Sequence, residues 1–593
     1  MTTVGEATIQ RLTEWGVEKI FGYPGDGING LLEALEMDEA PRFIQTRHEE
    51  IAAFAATAYG KFTDRPGVCM ATSGPGAIHL LNGLYDAKLD RSPVVAIFGS
   101  QATSAQGTSF QQEVDLKTLF KDVCSDYVVE VVSPKQIPVV IDRAFRTAMA
   151  ERSPVAVIMA ADVQEQDYEG PDNAFKELPG SIATSEKPRV LPPEGPLNEA
   201  AQIINEGEKI GILVGQGAAA ASEQVKELAE LTGGGVAKAL LGKDVLPDDL
   251  PYVTGSIGLL GTRPSWVLAQ ECDVWLQIGT NFPYTQFLPD YDGPKGIQID
   301  ISAHNIGLRF PNAVNLVGDA KDTLEALIPK VERKEDRSFR EEIEGEIADW
   351  WSLLEDRANE EADPVNPQRL YWKMNDHLPD RTIITADSGS STNWFARYLK
   401  VREGMRASLS GTLATMCPAM PYSIGAKFGH PDRPVLVSVG DGAMQMLGIN
   451  VLIDVAKYWQ EWDNSQLVVL VLNNHDLNQV TWEQRAMGGY AKNEETQVLP
   501  EFDFATYAKG LGLGGARIEK PEQIDEVFRE AWSADRPFVI DAVTDAEIPP
   551  LPPHVMPEQA KKLAEALADG DPEAWEIIKM GTKQKLLEFL PNR

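Results

Sequence analysis

The feature that most limits this fold is an alternation that runs along the chain. Short, continuous apolar runs at 68–71, 94–98, 155–160, 210–214, 274–278, 297–301, 382–385, 435–439, 467–472 and 538–542 are separated by stretches with helical spacing, such as 200–206 and 224–231. A strand with one wet face alternates polar and apolar residues. A run that is apolar throughout needs cover on both faces, and the helices between the runs supply it. The expected class is therefore α/β, with doubly wound parallel sheets.

At 593 residues the chain is too long for one core. Two breaks divide it: 171–196, rich in Pro, Gly, Ser and Glu, and 332–364, strongly charged and helical in part. They predict three doubly wound units, at 1–175, 190–335 and 362–550, and a helical tail at 551–593. The formal charge of −35 excludes a general affinity for nucleic acid or anionic membranes. Cys69, Cys124, Cys272 and Cys417 are too scattered for a disulfide framework or a structural zinc site, which fits a reducing, cytoplasmic setting. The first residues, MTTVGEATIQRLTEWGVEKIFG, read as an amphipathic helix entering a strand rather than a signal peptide.

Two of the apolar runs end in residues with chemistry. Run 435–439 leads into Gly440-Asp441-Gly442, and run 467–472 into Asn473-Asn474. As parallel neighbours they would bring acid and amides to one sheet edge, where open α/β sheets bind ligands. Carboxylate and amide oxygens are hard donors that suit Mg²⁺ and its phosphate ligands. Glycines let the backbone approach a diphosphate. Either motif alone is a turn or a loop; the pairing points to a site.

This pair resembles the signature of thiamine-diphosphate enzymes, GDG followed one helix and one strand later by NN. The spacer at 443–472 is several residues longer than the family's usual one, and the surplus near 458–465 reads as a surface insertion. The resemblance implies that Asp441 and Asn474 ligate Mg²⁺ together with the backbone carbonyl of Asp476, with Gly440 and Gly442 beside the diphosphate. Arg47-His48-Glu49-Glu50 matches the RHE triplet of the pyruvate oxidase and acetolactate synthase group. There the glutamate, Glu49 in this chain, hydrogen-bonds the cofactor's aminopyrimidine and so promotes removal of the thiazolium proton. Read alone, the triplet is an acidic helix N-terminus.

Other segments match in kind. Gly25, Asp26 and Gly27 lie in a strand-to-helix turn, and Ser73 opens the SGPGAIH loop, whose His79 would face substrate. Phe110 and Gln111 fall in the family's FQE segment at the substrate pocket. Met416 stands where an apolar wedge bends the cofactor into a V. Ser388, Gly389 and Ser390 would hold the diphosphate, and Glu483 stands where pyruvate oxidases carry an acid. The plainer readings are a structural histidine, a core phenylalanine, a core methionine and an exposed helical glutamate.

In the middle unit, Gly215-Gln216-Gly217-Ala218-Ala219-Ala220 fits G-x-G-x-x-A, but Lys238 occupies the region of the acid that an NAD site needs. The unit is similar instead to the flavin domain of pyruvate oxidases. That similarity implies FAD bound by Gly215, Gly217, Lys243, Gly258, Gly279, Thr280, Asn281, Phe282, Asp300 and Asp319. The tail at 573–590 carries apolar bulk and three lysines. It is read either as a membrane-surface helix reaching a quinone or as a subunit contact.

The resemblance spans about residues 1–550. It implies oxidative decarboxylation of pyruvate or a similar 2-oxo acid, in a homodimer or homotetramer whose sites lie between chains. The alternatives are a carboligase resembling acetolactate synthase, a non-oxidative decarboxylase, and a non-catalytic protein on the same scaffold.

Overall fold

The structure, a computed structural model, describes residues 2–183, 188–550, 557–575 and 577. It holds three six-stranded sheets, and every strand pair that carries them is parallel. The first contains β1 (Lys19–Gly22), β2 (Arg42–Gln45), β3 (Gly67–Ala71), β4 (Val94–Ser100), β5 (Val128–Val131) and β6 (Pro154–Ala160), in the order β2-β1-β3-β4-β6-β5. The second contains β7 (Ile210–Val214), β8 (Gly235–Lys238), β9 (Val253–Ser256), β10 (Val274–Ile278), β11 (Lys295–Asp300) and β12 (Asn312–Val317), in the order β12-β11-β10-β7-β8-β9. The third contains β13 (Ile383–Ala386), β14 (Arg406–Ser408), β15 (Val435–Gly440), β16 (Leu467–Asn473), β17 (Gly514–Ile518) and β18 (Phe538–Val543), in the order β14-β13-β15-β16-β18-β17.

The first and third sheets share one topology. The middle sheet has the strand order of a dinucleotide-binding fold. In the outer sheets the order reverses between the first and third strands, which opens a crevice at their carboxyl ends. The loops after β1, β3, β13 and β15 all lie at such positions.

The outer units pack through two helices, Glu49–Thr63 and Ala419–Gly429. The first is apolar nearly all round, with Ala52, Ala53, Ala55, Ala56 and Ala58 buried, as suits a helix enclosed between a sheet and another helix. Gly425 lets the second approach closely, because a β-carbon there would meet the Ala55 carbonyl oxygen at 2.3 Å. One core cluster runs through both units, from Phe21 and Phe54 to Tyr422 and Val437.

One expectation is met and one changes. The charged stretch after the middle unit forms one helix, Ser338–Asn359, which turns Phe339, Ile343, Ile347, Trp350 and Leu354 inward at helical spacing. The surplus near 458–465 is not a free surface insertion. Tyr458 and Trp462 are buried, the Tyr458 hydroxyl accepts the Gln45 amide N–H at 2.8 Å, and Arg42 pairs with Glu461. Its aromatic and charged residues dock the third unit on the first. All four cysteines are buried and free. No helix among the described residues is long and apolar enough to cross a membrane. The tail reading at 573–590 lies almost wholly outside the described residues.

Candidate active site

The third sheet brings the GDG and NN motifs together because β15 and β16 are parallel neighbours, paired from Val435–Leu467 to Gly440–Leu472. Asp441 is buried, and its carboxylate accepts the backbone N–H groups of Gly442 at 2.8 Å, Asn474 at 2.9 Å and His475 at 2.7 Å. Burial pushes its carboxyl up to about 7, against the lowering effect of those amides. The Asn474 side-chain oxygen accepts the Asp476 amide at 3.1 Å. Both carboxylate oxygens of Asp476 are buried without a hydrogen bond, and Lys492 Nζ stands 3.4 Å from one of them. His475 has a buried, unpartnered Nε2 and a φ of 57°. The two Asp476 oxygens without hydrogen bonds, near enough to Asp441 to raise its carboxyl, are hard donors of the kind a cation takes.

The adjoining backbone is open. A β-carbon at Gly440 or at Gly389 would meet nothing, and Gly389 has a φ of 95°. Gly440 ends β15 and Gly389 lies three residues past the end of its neighbour β13, so Ser388, Gly389, Ser390 and Gly440 stand at the carboxyl ends of adjoining strands. Gly442 is tighter. A β-carbon there would sit 2.9 Å from Leu477 and 3.5 Å from the Met416 methyl, which places the half-buried Met416 beside the motif.

On the first sheet, Glu49 is 8% exposed at the head of its helix and lies 2.9 Å from His79 Nδ1. His48 caps that helix by accepting the Glu50 N–H on Nδ1 at 3.1 Å, and its ring stacks on His79 at 4.5 Å. Gly76 leaves room for the carboxylate, since a β-carbon there would stand 3.2 Å from Glu49 Oε1. Gly25 and Gly27 pack on Thr72 and Ser73, the Gly27 N–H donates to Thr72 Oγ1 at 3.0 Å, and Asp26 is exposed. Phe110, 55% exposed, and Gln111 stand on a turn-rich loop that meets Gly74 and Ser73 through Gln112. Exposed Glu483 accepts from Gln479 at 2.9 Å, and Gln479 accepts from Asn393 at 2.7 Å, which ties it to the helix after Ser388 and Gly389. Among the described residues no hydrogen bond or ion pair joins Glu49 to Asp441 or Asn474.

Sequence reasoning gave no role of their own to His48, although it stands in the RHE triplet, to Asp387 or to Lys492. His48 carried a signal in that triplet, and Asp387 as an acid just after a strand and two residues before Gly389. Asp387 is fully buried, held up to about 7 by that burial, and accepts the Ser388, Cys417 and Ala419 amides.

In the middle unit the residues expected to hold a flavin pack as follows. Gly215 and Gly217 pack against the Gly279-Thr280 backbone, where β-carbons would meet atoms at 2.5 and 2.8 Å, so these glycines serve loop-to-loop contact. Lys243 is buried on Asp248 at 3.1 Å and on the Ala396 carbonyl at 3.2 Å. Gly258 sits over Phe282, and Asn281 keeps a buried, unpartnered side-chain oxygen. Asp300 accepts from Ser302 and Asn305 nearby, and Asp319 caps the helix Ala320–Leu327.

Family models for thiamine pyrophosphate enzymes match the chain in three pieces: the N-terminal TPP binding domain at 2–119, the central domain at 197–327 and the C-terminal TPP binding domain at 387–542. A Bacillus subtilis protein named as thiamine pyrophosphate-containing, YdaP, is 35% identical over 567 residues, covering 94% of each chain. A protein of Methanocaldococcus jannaschii named as a probable acetolactate synthase large subunit is 31% identical, covering 92% of this chain and 93% of its own. The pyruvate oxidase of Lactiplantibacillus plantarum is 28% identical, covering 92% and 89%. Most relatives with a named activity are acetolactate synthases. That balance overturns the expectation of an FAD-dependent oxidoreductase. The three matched regions and the full-length relatives establish that the chain belongs to the thiamine pyrophosphate enzyme family.

Proposed function

We propose that this protein is a carboligase of the acetolactate synthase kind, which decarboxylates a small 2-oxo acid such as pyruvate and joins the remaining fragment to a second carbonyl compound. One observation supports the cofactor part of the reading: buried Asp441 accepts the backbone N–H of half-buried Asn474 at adjacent strand ends while the backbone at Gly440 and Gly389 stays open; the acetolactate synthases among the relatives support the carboligase part. Thiamine diphosphate, when bound, supplies an acidic ring carbon that becomes the nucleophile and a ring that takes up the electrons released with CO₂.

The chain's own residues bind, orient and move protons. Asp441, Asn474 and the Asp476 carbonyl would hold Mg²⁺. Ser388, Gly389, Ser390, Gly440 and Gly442 would receive the diphosphate, with Met416 as the apolar wedge. Glu49 would serve the cofactor of a second chain, in a dimer or larger assembly, as a buried acid oriented by His79. Phe110 and Gln111 would border the substrate pocket, and Glu483 would approach from the helix Asn478–Glu483.

Incubating the full-length protein with pyruvate, thiamine diphosphate and Mg²⁺ under argon, then identifying the products, tests this. Acetolactate formed without any electron acceptor is expected. Acetaldehyde as the sole product, or turnover only when an acceptor is added, would overturn the carboligase reading.

A further inference from the structure

The segment 409–419 joins β14 to the helix Ala419–Gly429 and carries Met416. It holds two residues with β-carbons in the left-handed region, Ala414 at φ 53° and Cys417 at φ 79°. Such a conformation persists only where the surroundings over-determine it. Two buried carboxylates do so. Asp387 accepts the Cys417 and Ala419 amides at 2.9 and 3.1 Å and fixes the far end.

Asp90, on the first unit and 0% exposed, fixes the near end. Its Oδ2 accepts the Gly411 N–H at 2.8 Å and Lys61 Nζ at 2.7 Å, and its Oδ1 accepts the Thr412 N–H at 2.8 Å. Lys61 also donates to the Leu409 carbonyl at 2.7 Å. The middle unit closes the third side. Gln216 donates to the Asp90 carbonyl at 3.0 Å, and a β-carbon at Gly411 would meet Leu241 at 2.4 Å. Further along, Asn82 donates to both Thr415 Oγ1 at 3.1 Å and Glu50 Oε1 at 2.7 Å.

We propose that Asp90 and Lys61 form a buried brace that positions the 409–419 segment, and with it Met416, beside the Gly440-Asp441-Gly442 turn; the catalytic consequence rests on the functional reading above. Both are positioning residues. The charge is what an amide cannot replace. Asn at 90 would turn an NH₂ group toward Thr412 N–H, or toward Gly411 N–H and Lys61, and leave a buried donor facing a donor.

The test uses the full-length protein loaded with thiamine diphosphate and Mg²⁺ and compares Asp90→Asn and Lys61→Met with Asp142→Asn. Asp142 is a buried acid elsewhere in the same unit, bonded to Arg11 and Trp15, so its variant controls for general loss of stability. Two readouts are taken: pyruvate kinetics, and hydrogen–deuterium exchange of peptides covering 409–419. In both brace variants kcat is expected to fall by about 30- to 100-fold, since misplacements near 1 Å cost rates of that order. The KM for pyruvate should stay within about 3-fold, because ground-state binding is spared, while exchange of 409–419 speeds up at least about 10-fold over the rest of the chain. Asp142→Asn should change neither. Unchanged kcat, unchanged exchange, or the same losses in Asp142→Asn would each overturn the brace. If the wild-type protein leaves pyruvate untouched, the functional reading fails, and exchange alone judges whether Asp90 fixes the segment.

Discussion

Asp441 is a carboxylate surrounded by amide donors yet enclosed enough to be held up to about 7. Burying it is costly unless a cation or several hydrogen bonds answer the charge. A ligand that completes the site should therefore stabilise the whole fold by mass action, by roughly 2.7 kcal/mol at a hundredfold excess over Kd. Adding Mg²⁺ and thiamine diphosphate is expected to raise the melting temperature of the wild type by several degrees and to leave Asp441→Asn unmoved; an equal rise in both would remove Asp441 from the site. This residue was legible because its motif is local: a glycine on each side and a strand before it. The roles of Asp387 and Lys492 were not, since their partners Cys417 and Asp476 become neighbours only through packing, and His48, two residues from Glu50, stood in its motif without showing that its ring caps the helix.

At the scale of elements, the helix pair Glu49–Thr63 and Ala419–Gly429 decides how the outer units meet. Gly425→Ala would drive a methyl into the Ala55 carbonyl at 2.3 Å. It should cost about 1–3 kcal/mol or more, as overpacking of a close crossing does, and urea unfolding measures it. A neutral result would mean that the crossing can slide. The same helix carries Lys427, whose Nζ donates to the Arg433 and Asn464 carbonyls and forms no ion pair among the described residues, with Asp432 only near enough to raise it slightly against burial. Burial lowers it from 10.5 to about 7. The folded protein thus sheds this proton before the unfolded chain does, and stability should rise as pH climbs from about 7 toward 10.5, by at most about 1.4 kcal/mol per pH unit. Lys427→Met should be less stable, with two carbonyls unpaired, and should lose that component of the slope in melting curves across this range; an identical slope would refute the assignment. The strands foreseen from sequence are the wholly apolar ones, such as Leu467–Asn473 and Pro154–Ala160. Those passed over are short or half-polar edge members, such as Arg406–Ser408 and the alternating Asn312–Val317, whose strand character comes from a neighbour's hydrogen bonds. The docking role of the 458–465 stretch was equally hidden, because Tyr458 and Trp462 look like loop residues until the first unit covers them.

Across the whole molecule, two sheets of one topology flank a third with a different order, and the candidate site draws on the loops at the reversal points of the outer two. That much follows from parallel strands and right-handed crossovers once the alternation is recognised. The glycines of the middle unit do not tell close packing from nucleotide binding, because both use the same residue for the same reason, its missing side chain. The net charge of −35 also acts at this scale. Self-repulsion should make the fold weaker at low salt, and its melting temperature should climb between about 0.02 and 1 M KCl as the screening length shrinks from roughly 20 to 3 Å. Exposed ion pairs lose little over that range, so a flat or falling curve would show that the acidic surface is balanced locally.

In the proposed site two residues divide the work: Asp441 would anchor the cofactor and Glu49 would activate it. The most direct measurement is the rate at which the acidic ring proton of bound thiamine diphosphate exchanges with deuterium, followed by NMR after acid quench, in the wild type and in Glu49→Gln. The account predicts that Glu49→Gln still binds the cofactor but exchanges this proton at least about 100-fold more slowly. Exchange at the wild-type rate in that variant would contradict it.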